Sequence, residues 1–571
     1  HTTKGARRPW PPAGTRSAAD TGGTAGARDD RTAFPFQSGS PYIEPGMDQT
    51  QSEFLFRNGT IITIDPAQPR ASAVLVRGNR IVAVGSEQDV RSAATVRGRE
   101  VDLAGRTLIP GFNDAHIHLA NLGMRENQVK LGGLSAPEIL NRLGEAAEGA
   151  PADEPLLAFG WDYDHCPEPH RELLDERFPD RPVILIQFSG HGAWVNSAAL
   201  RLLRITRDSP DWEMGGPDRD ENGELTGILR EPGNYGPVQK LWFSRMRDRR
   251  AIREGLATAM GLMSRHGITS VQDNSWWPQT VSELARLHRQ GGQSCRVQCW
   301  SLGKEPLTDL RFSLKRFNRD WYARGPRKFF WDGAFSSHTA WLSEPYADRP
   351  DTRGHGAPPE KILPKLARAA RQGRQVAAHS IGDAATHAYC DATEVLARRT
   401  PVRERRFRIE HGQLVQHEDI ERIRALGMVV SAQPHAAADA GKDERLLGAS
   451  RAARAYPFRR LLDAGVPLAF GSDYPGEATY DPLFGIHLAV NRPPEVAITP
   501  EEALTCYTAG SAYAEWKEDE KGRIRAGFLA DLVVLDQDPT DVNPSTIREI
   551  SVELTMVDGR VVYERVPAAM V

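Results

Sequence analysis

Cysteine is scarce, with five in 571 residues, at positions 166, 295, 299, 390 and 506. An odd, scattered set argues against a disulfide framework and for a reducing compartment. Cys295 and Cys299 lie close together, but no second pair completes a zinc cage, so they read as packing residues. Long apolar runs are also missing. None approaches the roughly 18 residues that a bilayer crossing needs, and the first residues lack an apolar signal core. Nor is there an excess of one charge: 72 Lys and Arg stand against 75 Asp and Glu, a net charge of -3. That balance supplies no bulk field for a nucleic acid or an anionic membrane. The expectation is a cytoplasmic protein that acts on a small molecule, with no nucleic-acid or membrane partner, and compatible with a homodimer.

What is present is an ordinary globular composition, 40% hydrophobic and 26% charged, on a chain long enough for more than one body. Residues 1–46 are rich in Gly, Pro, Ala, Thr, Arg and Asp without apolar period, and read as a disordered leader or appended extension. From Glu53, FLFRNGTIITID and AVLVRGNRIVAVG alternate apolar and polar residues around Asn58-Gly59 and Gly78-Asn79, each a hairpin signal. LADLVVLDQDP and VELTMVDGRVVYE repeat that style near the other end. The reading is a composite β-sandwich domain from 47–106 and 515–571, enclosing a barrel domain over 107–514.

Inside, short apolar strands alternate with helical segments, the pattern of a parallel α/β fold. Eight candidate strands lie at 107–118, 268–273, 296–302, 328–333, 375–380, 407–412, 428–434 and 467–473. They fit a (β/α)8 TIM-like barrel. The gap between the first two far exceeds a βα loop of about 2–6 residues. It reads as a lobe inserted at about 125–255, over the barrel mouth.

Catalytic groups of such barrels sit at the C-terminal ends of the strands, and polar residues gather there in this chain. The first strand ends in His116-Ile117-His118, whose two imidazoles share one strand face. The fifth and sixth end in His379 and His411, and the eighth in Asp473. Taken singly, each has a bland alternative: a hydrogen-bonded core histidine, or a helix-capping aspartate. Four imidazoles at three strand ends are harder to dismiss. Lys328 opens the fourth strand, where burial demands a partner or a modification, unless it is a surface residue at the strand start. Mixed nitrogen and oxygen donors suit one or two zinc ions, with manganese, iron or nickel as alternatives. Asp473 could act as general base toward a metal-activated water.

The motifs TLIPGFNDAHIHL, HGITSVQD, KFFWDGAFSSHTA, AAHSIGDAA, RIEHGQLV, AFGSDYP and GRIRAGFLADLVVLD resemble the amidohydrolase superfamily. GWDYD, SGHGAWVNSAAL and TGILRE narrow the likeness to its YtcJ-like branch, amidohydrolase family 3, which includes N-substituted formamide deformylases. The resemblance spans roughly residues 53–560. It implies that His116, His118, His379, His411, Lys328 and Asp473 hold the metal, Lys328 as an N-carboxylated bridge and Asp473 as both ligand and base. The implied activity is hydrolysis of a C–N bond other than a peptide bond, in an amide, N-formyl or N-acyl amine. Deamination or cyclic-amide ring opening at the same metal is the alternative. A non-catalytic regulatory homologue is disfavoured because all six positions are filled. Gln272 stands where the family often has His, and His338 where many relatives have Arg. Substrate contacts are expected from His191, Trp161, His338 and His435, and Arg230 with Glu231 is a candidate ion pair near the lobe.

Overall fold

In the computed structural model the described residues are 53–566, apart from 96–97, 127–128, 149–153, 213–214, 233–235, 239–240, 242–247, 276 and 303–319. The leader lies outside them. Among the described residues no helix is long and apolar enough to cross a membrane.

Eight parallel strands form the central sheet in chain order: β1 (Phe112–Ile117), β2 (Ile268–Asp273), β3 (Arg296–Leu302), β4 (Tyr322–Phe330), β5 (Val376–Ser380), β6 (Arg408–His411), β7 (Val429–Ala432) and β8 (Leu468–Phe470). Each strand pairs with the next, and a helix-bearing segment follows most of them, the arrangement of a (β/α)8 barrel. The ring is nearly closed by the turn after β8. The Asp473 N–H donates to the His116 carbonyl at 2.6 Å, and the Ser472 N–H to the Asp114 carboxylate at 3.0 Å.

The expected first strand, 107–118, is two strands. Thr107–Pro110 pairs antiparallel with Leu532–Leu535 in another sheet, and only Phe112–Ile117 enters the barrel. Gly111 makes the crossing: a Cβ there would lie 2.2 Å from Thr269 Oγ1, so any side chain would push the strand off β2. The fourth strand starts earlier than expected, at Tyr322. Lys328 therefore lies near its C-terminal end, 2% exposed, and is not a surface residue at a strand start.

Segments from both ends of the chain join in one eight-stranded sheet that branches at Glu53–Ile62. Gly78-Asn79 forms the hairpin turn anticipated from sequence. Asn58-Gly59 does not. It sits inside the strand as a bulge with Asn58 at φ +58°, its amide donating to Asp102 at 2.7 Å. The side-chain bond to a neighbouring strand replaces the turn.

Between β1 and β2 the chain builds a six-stranded mixed sheet from Val129–Lys130, Leu156–Trp161, Val183–Gln187, Gly192–Val195, Gly216–Arg219 and Leu225–Arg230. One face packs Trp161, Trp194, Leu143 and Leu174 into a core of its own.

Candidate metal centre

The strand ends bring the histidines together. The His116 and His411 rings lie 5.3 Å apart, His379 and His411 4.3 Å, and His116 and His118 5.8 Å. Asp473 reaches into the group: its Oδ1 is 3.3 Å from Nε2 of both His116 and His118, and its Oδ2 is 3.8 Å from His411 Nδ1. Donor atoms of His116, His411 and Asp473 all fall within 4.8 Å of one another. Lys328 Nζ is 3.4 Å from His116 Nε2. All six residues expected to hold metal thus converge on one place.

Backbone conformation aims two of them. His411 has φ +77° and Asp473 φ +53°, left-handed values that cost a non-glycine residue on the order of 1 kcal/mol or more. Regular alternation puts Glu410, not His411, on the inner face of β6. The reversal at the strand end turns the imidazole back to the centre.

The electrostatics suit a cation. Burial, the Lys328 ammonium and neighbouring imidazoles hold His116, His379 and His411 well below the ordinary histidine range, so they are neutral and have lone pairs to give. Burial pushes Asp473 upward, but His116, His118 and Lys328 outweigh it and keep the carboxylate ionised. Burial lowers Lys328 to about 8, so a neutral amine is accessible near physiological pH. His411 Nε2 is buried and has no hydrogen-bond partner among the described residues. An orphaned imidazole nitrogen beside a carboxylate and further neutral imidazoles fits a divalent metal.

Comparison with known proteins decides the affiliation: the profile described as "Amidohydrolase family" matches residues 99–563. The chain belongs to the amidohydrolase family. Over 488 residues it is 32% identical to the protein YtcJ of Bacillus subtilis, covering 82% of this chain and 90% of that one. It is 30% identical to the N-substituted formamide deformylase of Arthrobacter pascens, over 81% of this chain and 90% of the relative. A crystal structure of an uncharacterised metal-dependent hydrolase from Pyrococcus furiosus superposes with a TM-score of 0.67 at 32% identity, over 86% of this chain and all of that one. The protein is accordingly a hydrolase of this family, and the family together with the donor set implies a divalent metal.

Around the centre of this amidohydrolase lies a shell that sequence reasoning missed. Glu410 is fully buried and takes His116 Nδ1 at 2.7 Å, which turns Nε2 toward Asp473. Arg408 Nε donates to Glu410 at 2.7 Å, and its guanidinium also reaches Gln272, the Ala115 carbonyl and Ser431. Gln272 thus holds the arginine. Asn274 Nδ2 lies 2.9 Å from His116 Nε2. The signal was legible in R-I-E-H, where Arg408 and Glu410, two apart, place opposite charges on one inward strand face.

The tentative substrate contacts divide. His191, on the turn before Gly192–Val195, brings its ring 5.2 Å from His379, and its Nδ1 sits 2.9 Å from Glu231. Burial would lower His191, but the Glu231 carboxylate raises it above its ordinary value. His338 lines a cavity of about 680 Å³ between lobe and barrel loops and pairs with Asp348 at 3.1 Å. Trp161 is fully buried in the lobe core, with its indole N–H on the Leu185 carbonyl, because its strand position faces the lobe's helices. The His435 ring is held by the Asp481 carbonyl at 2.9 Å and packs on Phe484. Arg230 and Glu231 do not pair with each other. Arg230 closes the strand Leu225–Arg230 and binds Asp218 at 2.6 Å, whereas Glu231, just beyond it at φ +49°, meets His191 and Thr339.

Proposed function

We propose that this amidohydrolase cleaves a C–N bond other than a peptide bond, in an amide, N-formyl or N-acyl amine, with Asp473 as general base. The observation that carries the reading is the convergence of four imidazoles, Lys328 and an ionised, buried Asp473 at the C-terminal ends of the barrel strands. His116, His118, His379, His411 and Asp473 would hold one or two divalent ions, with N-carboxylated Lys328 as a bridge. The neutral Nζ adds to carbon dioxide and loses a proton to give that carboxylate. Zinc suits this donor set best. Such an ion, when bound, supplies a Lewis acid that polarises the scissile carbonyl and acidifies water. Asp473 takes a proton from the attacking water on a carboxylate oxygen and returns it to the leaving nitrogen. Glu410 fixes the His116 ring, and Glu231 fixes that of His191, which faces the reacting carbonyl from the lobe. The lobe limits water at the mouth. The 30% identity to a formamide deformylase supports N-formyl amines as the first substrates to try.

The test is metal content of the protein purified without added metal, beside Asp473→Asn assayed on a panel of N-formyl and N-acyl amines. About two ions per chain, and turnover abolished in the variant, is the expected result. No bound metal and no turnover after zinc or manganese is supplied would overturn it.

A further inference from the structure

A cavity of about 410 Å³ lies between the inserted lobe and the loop that follows Asp473. Phe159 and Phe188 of the lobe, Tyr474 and Glu477 of that loop, and Lys442 contribute to its wall. Most of the charged groups at this cavity are already engaged. Asp162 lies 2.8 Å from His165, Asp164 is bound by Arg445 at 2.7 Å, and Lys442 Nζ sits over the Phe188 ring, 4.3 Å from its centre. Glu477 is different. It is half-buried, and among the described residues it makes no hydrogen bond or ion pair.

We propose that Glu477 determines specificity by binding an ammonium group on the substrate, so that the natural substrates are N-acyl amines carrying a second, cationic amine. This rests on the hydrolytic reading above. A half-buried carboxylate with no protein partner is held by water alone, which a donor on a ligand can displace. An ammonium brings three donors and the opposite charge. The aromatic walls suit an apolar stem, and Lys442 shows that the Phe188 face already accepts an ammonium. Burial pushes Glu477 up to about 8, with Asp473 and Asp443 adding to the rise and Lys442 opposing it. A bound cation reverses that trend by favouring the ionised form. Glu477 lies four residues after Asp473 on one loop, and Tyr474, next to Asp473, shares the wall of the same cavity.

The experiment measures binding of cyclohexylammonium and of neutral cyclohexanol by calorimetry, on the metal-loaded full chain and on Glu477→Gln and Glu477→Asp. Wild type should bind the ammonium about tenfold or more tighter than Glu477→Gln, the scale of one charge-assisted hydrogen bond. Glu477→Asp should keep most of that preference, and cyclohexanol should bind all three alike. Equal ammonium affinity in wild type and Glu477→Gln, or no ammonium binding to wild type, overturns the proposal. N-formyl turnover is read separately on the same samples. Turnover of an N-formyl diamine that is the same in wild type and Glu477→Gln sinks the specificity assignment alone. Glu477-dependent ammonium binding without turnover of any N-acyl compound sinks the hydrolytic reading alone.

Discussion

Replacing Glu410 by Gln tests whether the buried chain from Arg408 through Glu410 to His116 tunes the metal centre. Both side chains of the ion pair have no solvent exposure, and Glu410 accepts from Arg408 at 2.7 Å and holds His116 Nδ1 at 2.7 Å. A glutamine offers one acceptor where the carboxylate serves two donors, so one donor loses its partner. Breaking a buried pair from one side destabilises by about 3–5 kcal/mol. Loss of a carboxylate that orients a ligating histidine weakens metal binding by about 10–100-fold, or about 1.4–2.7 kcal/mol. The two effects separate in a double variant. Arg408→Met with Glu410→Gln removes the stranded guanidinium and should recover most of the stability, while metal affinity stays depressed because His116 remains unheld. Chelator competition measures affinity, and denaturant unfolding of the metal-free protein measures stability. Unchanged metal affinity in a folded Glu410→Gln variant would refute the reasoning.

Acid should weaken the metal-free protein first through its histidines. His116, His379 and His411 stay neutral in the fold but protonate near 6.5 once unfolded. The unfolded state then binds more protons, and stability falls with decreasing pH below about 6.5, by up to about 4 kcal/mol per pH unit for three groups. Urea titrations from pH 7.5 down to pH 5 that show a flat profile would contradict this. Lys328→Ala should reduce bound metal from about two ions to about one, read by elemental analysis, and wild type depleted of carbon dioxide should behave likewise. His191→Asn should lower kcat by about 10–100-fold with metal content unchanged, whereas a purely structural histidine would shift the unfolding midpoint and leave kcat intact. Gly333→Ala would set a methyl 2.0 Å from Thr339 Oγ1 and 2.3 Å from Glu231 Oε1, and should destabilise the lobe contact by about 1–3 kcal/mol, seen by calorimetry.

The sequence by itself determined the class of fold and which polar residues close the barrel strands. Apolar runs of strand length recur between amphipathic helices, and such a pattern has few compact solutions. His116, His118, His379, His411 and Asp473 were each visible because a polar residue closing an apolar strand stands out against its neighbours. Local pattern could not say how far Lys328 sits from water, because its burial depends on a strand that begins at Tyr322 and on the seven strands around it. Nor could it separate Trp161 from a pocket wall, since an aromatic residue reads alike whether it faces a lobe core or a substrate. The split of 107–118 into two strands, the grip of Glu410 on His116, and the unpartnered Glu477 were decided by contacts between residues far apart in the chain. Only the tertiary structure sets which long-range neighbours meet, and those meetings fix the charge, orientation and solvation of the groups that sequence merely supplies.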